Sequence, residues 1–206
     1  MITHERIVQW MNVVREEMNS PEQFRVLENF WESQLRSKMW LIEKINEHCL
    51  LFPGSHIYIV GGWYGVLGQL LYEAIPGVRV TSVDKDAKCA EFGTRLKLPD
   101  DDIEFITADM QHFTEYSPDT RLVINTSTEH VTQNTFDSWM HNVPSNVNVV
   151  LQGNNFFECP EHVRCASSLI EFQQLNKMTE VKFAGHLDCT QFTRYMTIGK
   201  KICKQN

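Results

Sequence analysis

Four places in this chain put reactive or polar side chains beside backbone that is free to turn. The first is Gly61-Gly62-Trp63-Tyr64-Gly65-Val66-Leu67-Gly68, directly after the apolar run Ile57–Val60. Glycines at a strand-to-helix turn let backbone approach a ligand, and the helix N-terminus beyond offers N–H groups to an anionic part of it. The second is Asp84, which ends the β-branched run Val78 to Val83 and stands where an acid accepts hydrogen bonds from ribose hydroxyls in nucleotide-binding sheets. The third is Glu129-His130, the pair best suited to proton transfer because an imidazole titrates near neutrality. His130 could equally pack or cap a helix start. The fourth is Asn154-Asn155, which could hydrogen-bond a substrate or simply make a turn. Glu158, Glu161 and His162 form a further polar group without ligand spacing, and no metal site is expected from them.

The glycine spacing excludes one cofactor class. A nicotinamide site asks for G-x-G-x-x-G, and no choice among Gly61, Gly62, Gly65 and Gly68 supplies it. The stretch resembles instead the first motif of class I S-adenosylmethionine-dependent methyltransferases, with Gly61 and Gly65 matching the outer glycines. Ile59 stands where that family usually has an acid, and Trp63 where it has the middle glycine. Further matches follow in order. Val83-Asp84 resembles the family's acidic end of strand two, and Ala108-Asp109-Met110 the step after strand three, whose acid holds the adenine amino group. Ser127-Thr128-Glu129-His130 resembles a run common in the small-molecule branch. The resemblance implies S-adenosylmethionine as cofactor, contacted by Gly61, Gly62, Trp63, Tyr64, Gly65, Asp84, Lys85, Asp109, Met110, Asn125 and Thr126. Methyl transfer to a small-molecule acceptor is then expected, with His130 as base and Glu129 second to it, and Asn154 and Asn155 toward the substrate. Other outcomes stay open: a same-fold enzyme that uses another bond of the cofactor, or a non-catalytic relative that binds a protein partner.

The totals agree with a soluble globular protein of one domain. The chain has 206 residues, 42% hydrophobic and 22% charged. It has no apolar run near the ~20 residues that span a bilayer, and no secretory signal pattern at its start, so no membrane partner is expected. Six cysteines without C-x-x-C pairs fit a reducing cytoplasm. A formal net charge of −7 does not favour nucleic acid as substrate. The Asn/Asp-Pro-Pro-Tyr motif of DNA and protein-amide methyltransferases is absent, since strand four ends Asn125-Thr126-Ser127-Thr128.

The elements that must position these groups read as an α/β domain over 55–206 behind an N-terminal helical cap over 1–54. In the cap, Ile7, Trp10, Met11, Val14 and Met18 share helical spacing over residues 4–18. Ser20-Pro21-Glu22-Gln23 reads as an N-cap with proline at the first helical position, followed by Phe24, Leu27, Trp31 and Leu35, and a bend near Ser33–Ser37. The aromatic stripe Trp10, Phe24, Phe30, Trp31 and Trp40 is expected to pack in the core, and Arg36 and Lys38 to face water. Beyond it come a helix over Ala87–Leu96, a solvated acidic turn at Pro99–Asp102 and strands at Ile103–Ile106 and Arg121–Asn125. A helix around Phe136–Val143, a buried strand at Val147–Gln152 and a helix from about Val163 to Leu175 follow, then a closing hairpin, Glu180–Leu187 and Thr193–Gly199. The expected fold is a Rossmann-like, mostly parallel seven-stranded sheet with helices on both faces. Its strand ends gather Gly61–Gly65, Asp84, Asp109, Asn125–His130 and Gly153–Phe157 at one edge.

Overall fold

The structure is a computed structural model that describes residues 2–201; Cys203, one of the six cysteines, lies outside them. Five parallel strands alternate with helices: β1 (His56–Val60), α4 (Val66–Ala74), β2 (Arg79–Asp84), α5 (Ala87–Leu96), β3 (Ile103–Thr107), β4 (Thr120–Asn125), α6 (Gln133–Asn142) and β5 (Asn148–Asn154). Helix α7 (Leu169–Asn176) leads to the antiparallel hairpin β6 (Met178–Cys189) and β7 (Phe192–Lys201). The sheet order is β3-β2-β1-β4-β5-β7-β6. It reverses direction between β1 and β4, the place where a crevice opens beyond the carboxyl ends of the strands.

Strand alternation divides the interior in two. Ile57, Ile59, Val80, Leu122, Ile124 and Val150 point to one face, packed by α4, α5 and the N-terminal helices. Tyr58, Val60, Val123, Val149 and Leu151 point to the other, with Phe136 and Trp139 of α6 and Phe172 of α7. Both faces are buried, which is why β1, β4 and β5 read as near-continuous apolar runs.

The N-terminal part differs from the sequence reading in several ways. Helices α1 (His4–Glu17), α2 (Gln23–Glu28) and α3 (Glu32–His48) share the first core with the sheet. The buried face of α1 is Arg6, Trp10 and Val13, while Ile7, Met11 and the following Met18 are exposed. The Ser20 hydroxyl accepts from the Glu22 amide and the Gln23 side chain from the Asn19 amide at 2.8 Å, as a cap would, but Pro21 and Glu22 form a turn and Glu22 stands at the N-cap of α2. The helix therefore starts only at Gln23. The break before α3 falls at residues 29–31, not 33–37, and it leaves Phe24 and Trp31 of the aromatic stripe exposed. Strand β5 runs on through Gly153 to Asn154. Helix α7 starts at Leu169 rather than near Val163, because Ser168 accepts from the Glu171 amide as its N-cap.

The acidic turn also departs from expectation. Asp101 is buried, where it binds both terminal nitrogens of Arg6 and accepts from the Leu98 amide at 2.7 Å. Arg6 further meets Glu73 at 3.0 Å and Gln69 at 3.3 Å, so one guanidinium joins α1, α4 and the turn before β3. Breaking a buried pair strands the remaining charge. Asp101→Ala is therefore expected to cost on the order of 3 kcal/mol in urea unfolding, whereas Asp100→Ala, at an exposed neighbour, should stay within about 0.5 kcal/mol.

Candidate active site

The glycine turn lies at the switch point and is held shut by its own backbone. The Gly61 and Gly62 amides both donate to the Val83 carbonyl, at 2.9 and 3.1 Å. The Trp63 amide donates to Asp84 Oδ2 at 2.9 Å, and the Asp86 amide to Asp84 Oδ1 at 3.1 Å. Gly61 has φ +70°, and a Cβ on it would collide with the Ser127 hydroxyl; one on Gly62 would collide with that of Ser82. The glycines are thus required by close approach to β2 and β4, and their amides are spent within the protein. What faces the crevice is the first turn of α4, whose N-cap Gly65 is left-handed and which no side chain caps. Trp63, at φ +51°, accepts a left-handed conformation that glycine usually takes, and its half-buried indole stacks on Tyr64 at 5.5 Å. Asp84 keeps a lone pair on each oxygen beyond the two amides.

Neighbouring strand ends complete this side. The Ala108 amide donates to the Asp84 carbonyl at 2.9 Å, which sets Asp109 beside Asp84 across β2 and β3. Asp109 is exposed and accepts from the Gln111 amide, Met110 packs against the second core, and Lys85 is exposed. Asn125 is fully buried: its Oδ1 accepts from the Ser127 amide at 2.9 Å, and its Nδ2 has no partner among the described residues. Residues at and just before α2 reach this region. Tyr64 donates its hydroxyl to Glu22, Lys88 pairs with Glu22, and Arg25 pairs with Asp86 at 2.9 Å.

On the far side of the switch point, Thr128–His130 form one 3-10 turn after β4. Glu129 is buried, and its Oε1 accepts from Asn154 Nδ2 at 2.5 Å and from Arg194 Nη1 at 2.9 Å. Its Oε2 has no partner among the described residues. Asn154 Oδ1 accepts from the Phe156 amide, so this side chain is wholly used inside the protein. Asn155 accepts from the Thr193 amide at 2.7 Å and closes the pairing of β5 with β7. The Glu129 carbonyl takes the amides of Val163 and Arg164, which folds the loop after β5 back and sets the His162 ring at 4.6 Å from that of His130. Burial on one side lowers the His130 pKa. Thr126 offers its carbonyl to Arg194 at 3.4 Å.

Two cations here escaped the sequence reading. Arg194 is a buried charge inside the apolar strand Tyr195-Met196-Thr197-Ile198, and that interruption was its available signal. Lys38 does not face water: it is buried beneath α3 with Gln34 Oε1 at 3.1 Å, and its neighbour Ser37 donates to Gln152 of β5.

No protein-family model matches the chain, and no curated protein matches it. Solved structures do: the chain has the Rossmann-like fold of class I S-adenosylmethionine-dependent methyltransferases. One is magnesium protoporphyrin IX methyltransferase (ChlM) from Synechocystis PCC 6803 with bound SAH, at TM-score 0.68 and 13% identity, covering 93% of this chain and 100% of that one. A second is the N-methyltransferase NodS from Bradyrhizobium japonicum WM9, at TM-score 0.61 and 11% identity over 81% of this chain and 95% of that one. A third is a mutant of MtNAS in complex with S-adenosylmethionine, at TM-score 0.60 and 15% identity over 94% of this chain and 72% of that one.

Burial, with repulsion from Arg194, brings the Lys38 pKa down to about 7. An unfolded lysine titrates near 10.4, so between about pH 7 and pH 10 the unfolded chain holds more protons and stability rises with pH. Lys38→Met should remove that rise. Urea unfolding at about pH 7 and about pH 9.5 is expected to show a larger gain in stability for wild type than for the variant.

Proposed function

We propose that this chain is an S-adenosylmethionine-dependent methyltransferase acting on a small-molecule acceptor. The observation that carries the reading lies at the carboxyl ends of β1 and β4, where the strand order reverses. There a buried Asn125 amide lacks a partner among the described residues, beside a glycine turn pinned to Asp84. That donor and those carboxylate lone pairs fit a nucleoside with hydroxyl and amino groups. S-adenosylmethionine, when bound, supplies an electrophilic methyl on sulfonium and a neutral thioether as leaving group.

The chain's own residues supply the rest. Asp84 and Asp109 accept from the nucleoside, with Lys85 and Met110 flanking them. Gly61, Gly62, Trp63, Tyr64 and Gly65 form the backbone wall, and Asn125 and Thr126 close it from β4. Glu129 and His130 act on the acceptor side. Asn154 and Asn155 shape that side through Glu129 and β7. We read residues 1–54 as a cap on the domain formed by 55–206, supported by the Arg25–Asp86 and Glu22–Lys88 pairs across the cofactor edge. The net charge of −7 supports a small molecule over nucleic acid. The five cysteines among the described residues are free, which supports a cytoplasmic location. No helix among the described residues is long and apolar enough to cross a membrane.

Calorimetry with S-adenosylhomocysteine is expected to show binding at one site. Asp84→Asn should weaken it about tenfold or more, since a hydrogen bond to a charged acceptor is worth about 1.5–3 kcal/mol. Gly61→Ala should weaken it, because a side chain is strained at φ +70° and its Cβ would displace the Ser127 hydroxyl. Incubation with cell extract and methyl-labelled cofactor should then label a small molecule. In a parallel incubation with cofactor labelled in the aminocarboxypropyl carbons, transfer of that label alone would assign a different bond of the cofactor, and no binding would remove the reading.

A further inference from the structure

We propose that Glu129, His130 and His162 bind a first-row divalent transition-metal ion on the acceptor side of the crevice. One ligand atom from each lies within 4.8 Å of the others. Metal–nitrogen and metal–oxygen bonds near 2.0–2.2 Å hold neighbouring ligands roughly 3–3.5 Å apart, within reach of small side-chain rotations. Two imidazoles and one carboxylate form a borderline-soft donor set, which suits zinc or iron(II) rather than the all-oxygen shells of magnesium and calcium.

Two further observations point to a ligand at this place. The first is Glu129 Oε2. The residue is 2% exposed, and its other oxygen already takes Asn154 and Arg194. Oε2 has no donor among the described residues. A buried carboxylate oxygen left bare is costly, and a cation removes that cost. The second is the orientation of His162. Its Nδ1 lies 2.8 Å from the Phe156 carbonyl, an atom that can only accept, so Nδ1 donates and Nε2 is the nitrogen left for a metal in the neutral ring. Metal-binding histidines are usually fixed in this way, by donating the other ring nitrogen to a carbonyl.

The backbone holds the three ligands together across a gap in sequence. The 3-10 turn sets Glu129 and His130 in succession, and the Val163 and Arg164 amides grip the Glu129 carbonyl at 2.8 and 3.1 Å. Arg164 anchors that loop, with its guanidinium 3.8 Å above the Phe136 ring and hydrogen-bonded to Gln133 and Asn176. Arg194, bound to Oε1, orients the carboxylate without occupying Oε2.

The catalytic part of this inference rests on the methyl-transfer reading and gives Glu129 and His130 one shared task. Three protein ligands leave positions open for an acceptor hydroxyl, whose pKa the ion lowers. The hydroxyl proton passes to solvent water, an oxygen lone pair forms the new bond to the methyl carbon, and the C–S bonding pair stays with sulfur. The acceptor class is therefore an alcohol or phenol able to ligate a metal.

The test uses the full chain, stripped with a chelator and titrated with Zn2+ by calorimetry and with Co2+ by visible absorption. One equivalent should bind with Co2+ bands of nitrogen–oxygen ligation. His162→Ala and His130→Ala should each weaken binding at least about tenfold, while His186→Ala, on the exposed face of β6, should bind as wild type does. Circular dichroism checks that each variant folds, and His162→Gln replaces any that does not. Failure to take up one equivalent, or equal affinity in folded His162 and His130 variants, overturns the site. S-adenosylhomocysteine titration of the same samples separates the two readings. Nucleoside binding without metal uptake refutes the metal site alone. Metal uptake lost in the variants, without nucleoside binding, supports the metal site and removes methyl transfer.

Discussion

A carboxylate taken out of water needs a cation and hydrogen-bond donors, and Glu129 obtains both from strands that follow it in the chain. Asn154 at the tip of β5 and Arg194 near the start of β7 are direct partners in the antiparallel register, and both reach Glu129 Oε1. That register exists because β7 enters the sheet between β5 and β6. The pair therefore ties the turn after β4 to β7, the antiparallel strand that borders the parallel set. The loop after β5 is drawn in as well, through the Glu129 carbonyl.

The glycine turn is built on a different principle. There the backbone satisfies itself: Gly61 and Gly62 share the Val83 carbonyl, and Trp63 and Asp86 share the Asp84 carboxylate. The turn is held in place before any ligand arrives, including the left-handed Trp63, a conformation that costs of order 1 kcal/mol or more in a bulky residue. Glu22 and Arg25 add ion pairs over this edge, while Lys38 of α3 lies near Arg194 on the other. One set of N-terminal helices thus borders both halves of the crevice.

Much of the α/β plan could be read directly. Ile57–Val60, the glycine turn, the apolar face of α4 and the run to Asp84 are local signals, and the elements fall within a residue or two of where they were expected. The Asp86 cap of α5 and the stop of α6 before Pro144 are equally local. The start of α7 was legible too, since Ser168 and Glu171 have capping-box spacing, but the apolar residues Val163 and Ala166 drew the helix forward. The face of α1 was not legible. Its apolar residues outnumber the positions that a neighbour covers, and Arg6 is buried because Asp101 and Glu73 happen to meet it.

Sequence by itself determined the alternation of strands and helices, the glycine turn and the acids at strand ends, because each depends on backbone preferences within a few residues. Tertiary structure alone decided which polar groups lose their water. Asp101, Lys38 and Arg194 carry charges that a helix or strand pattern places in solvent, and only the packing of distant elements buries them. It also decided that His162 stands beside Glu129 and His130, since two amides on one carbonyl close a gap in sequence that no spacing rule spans.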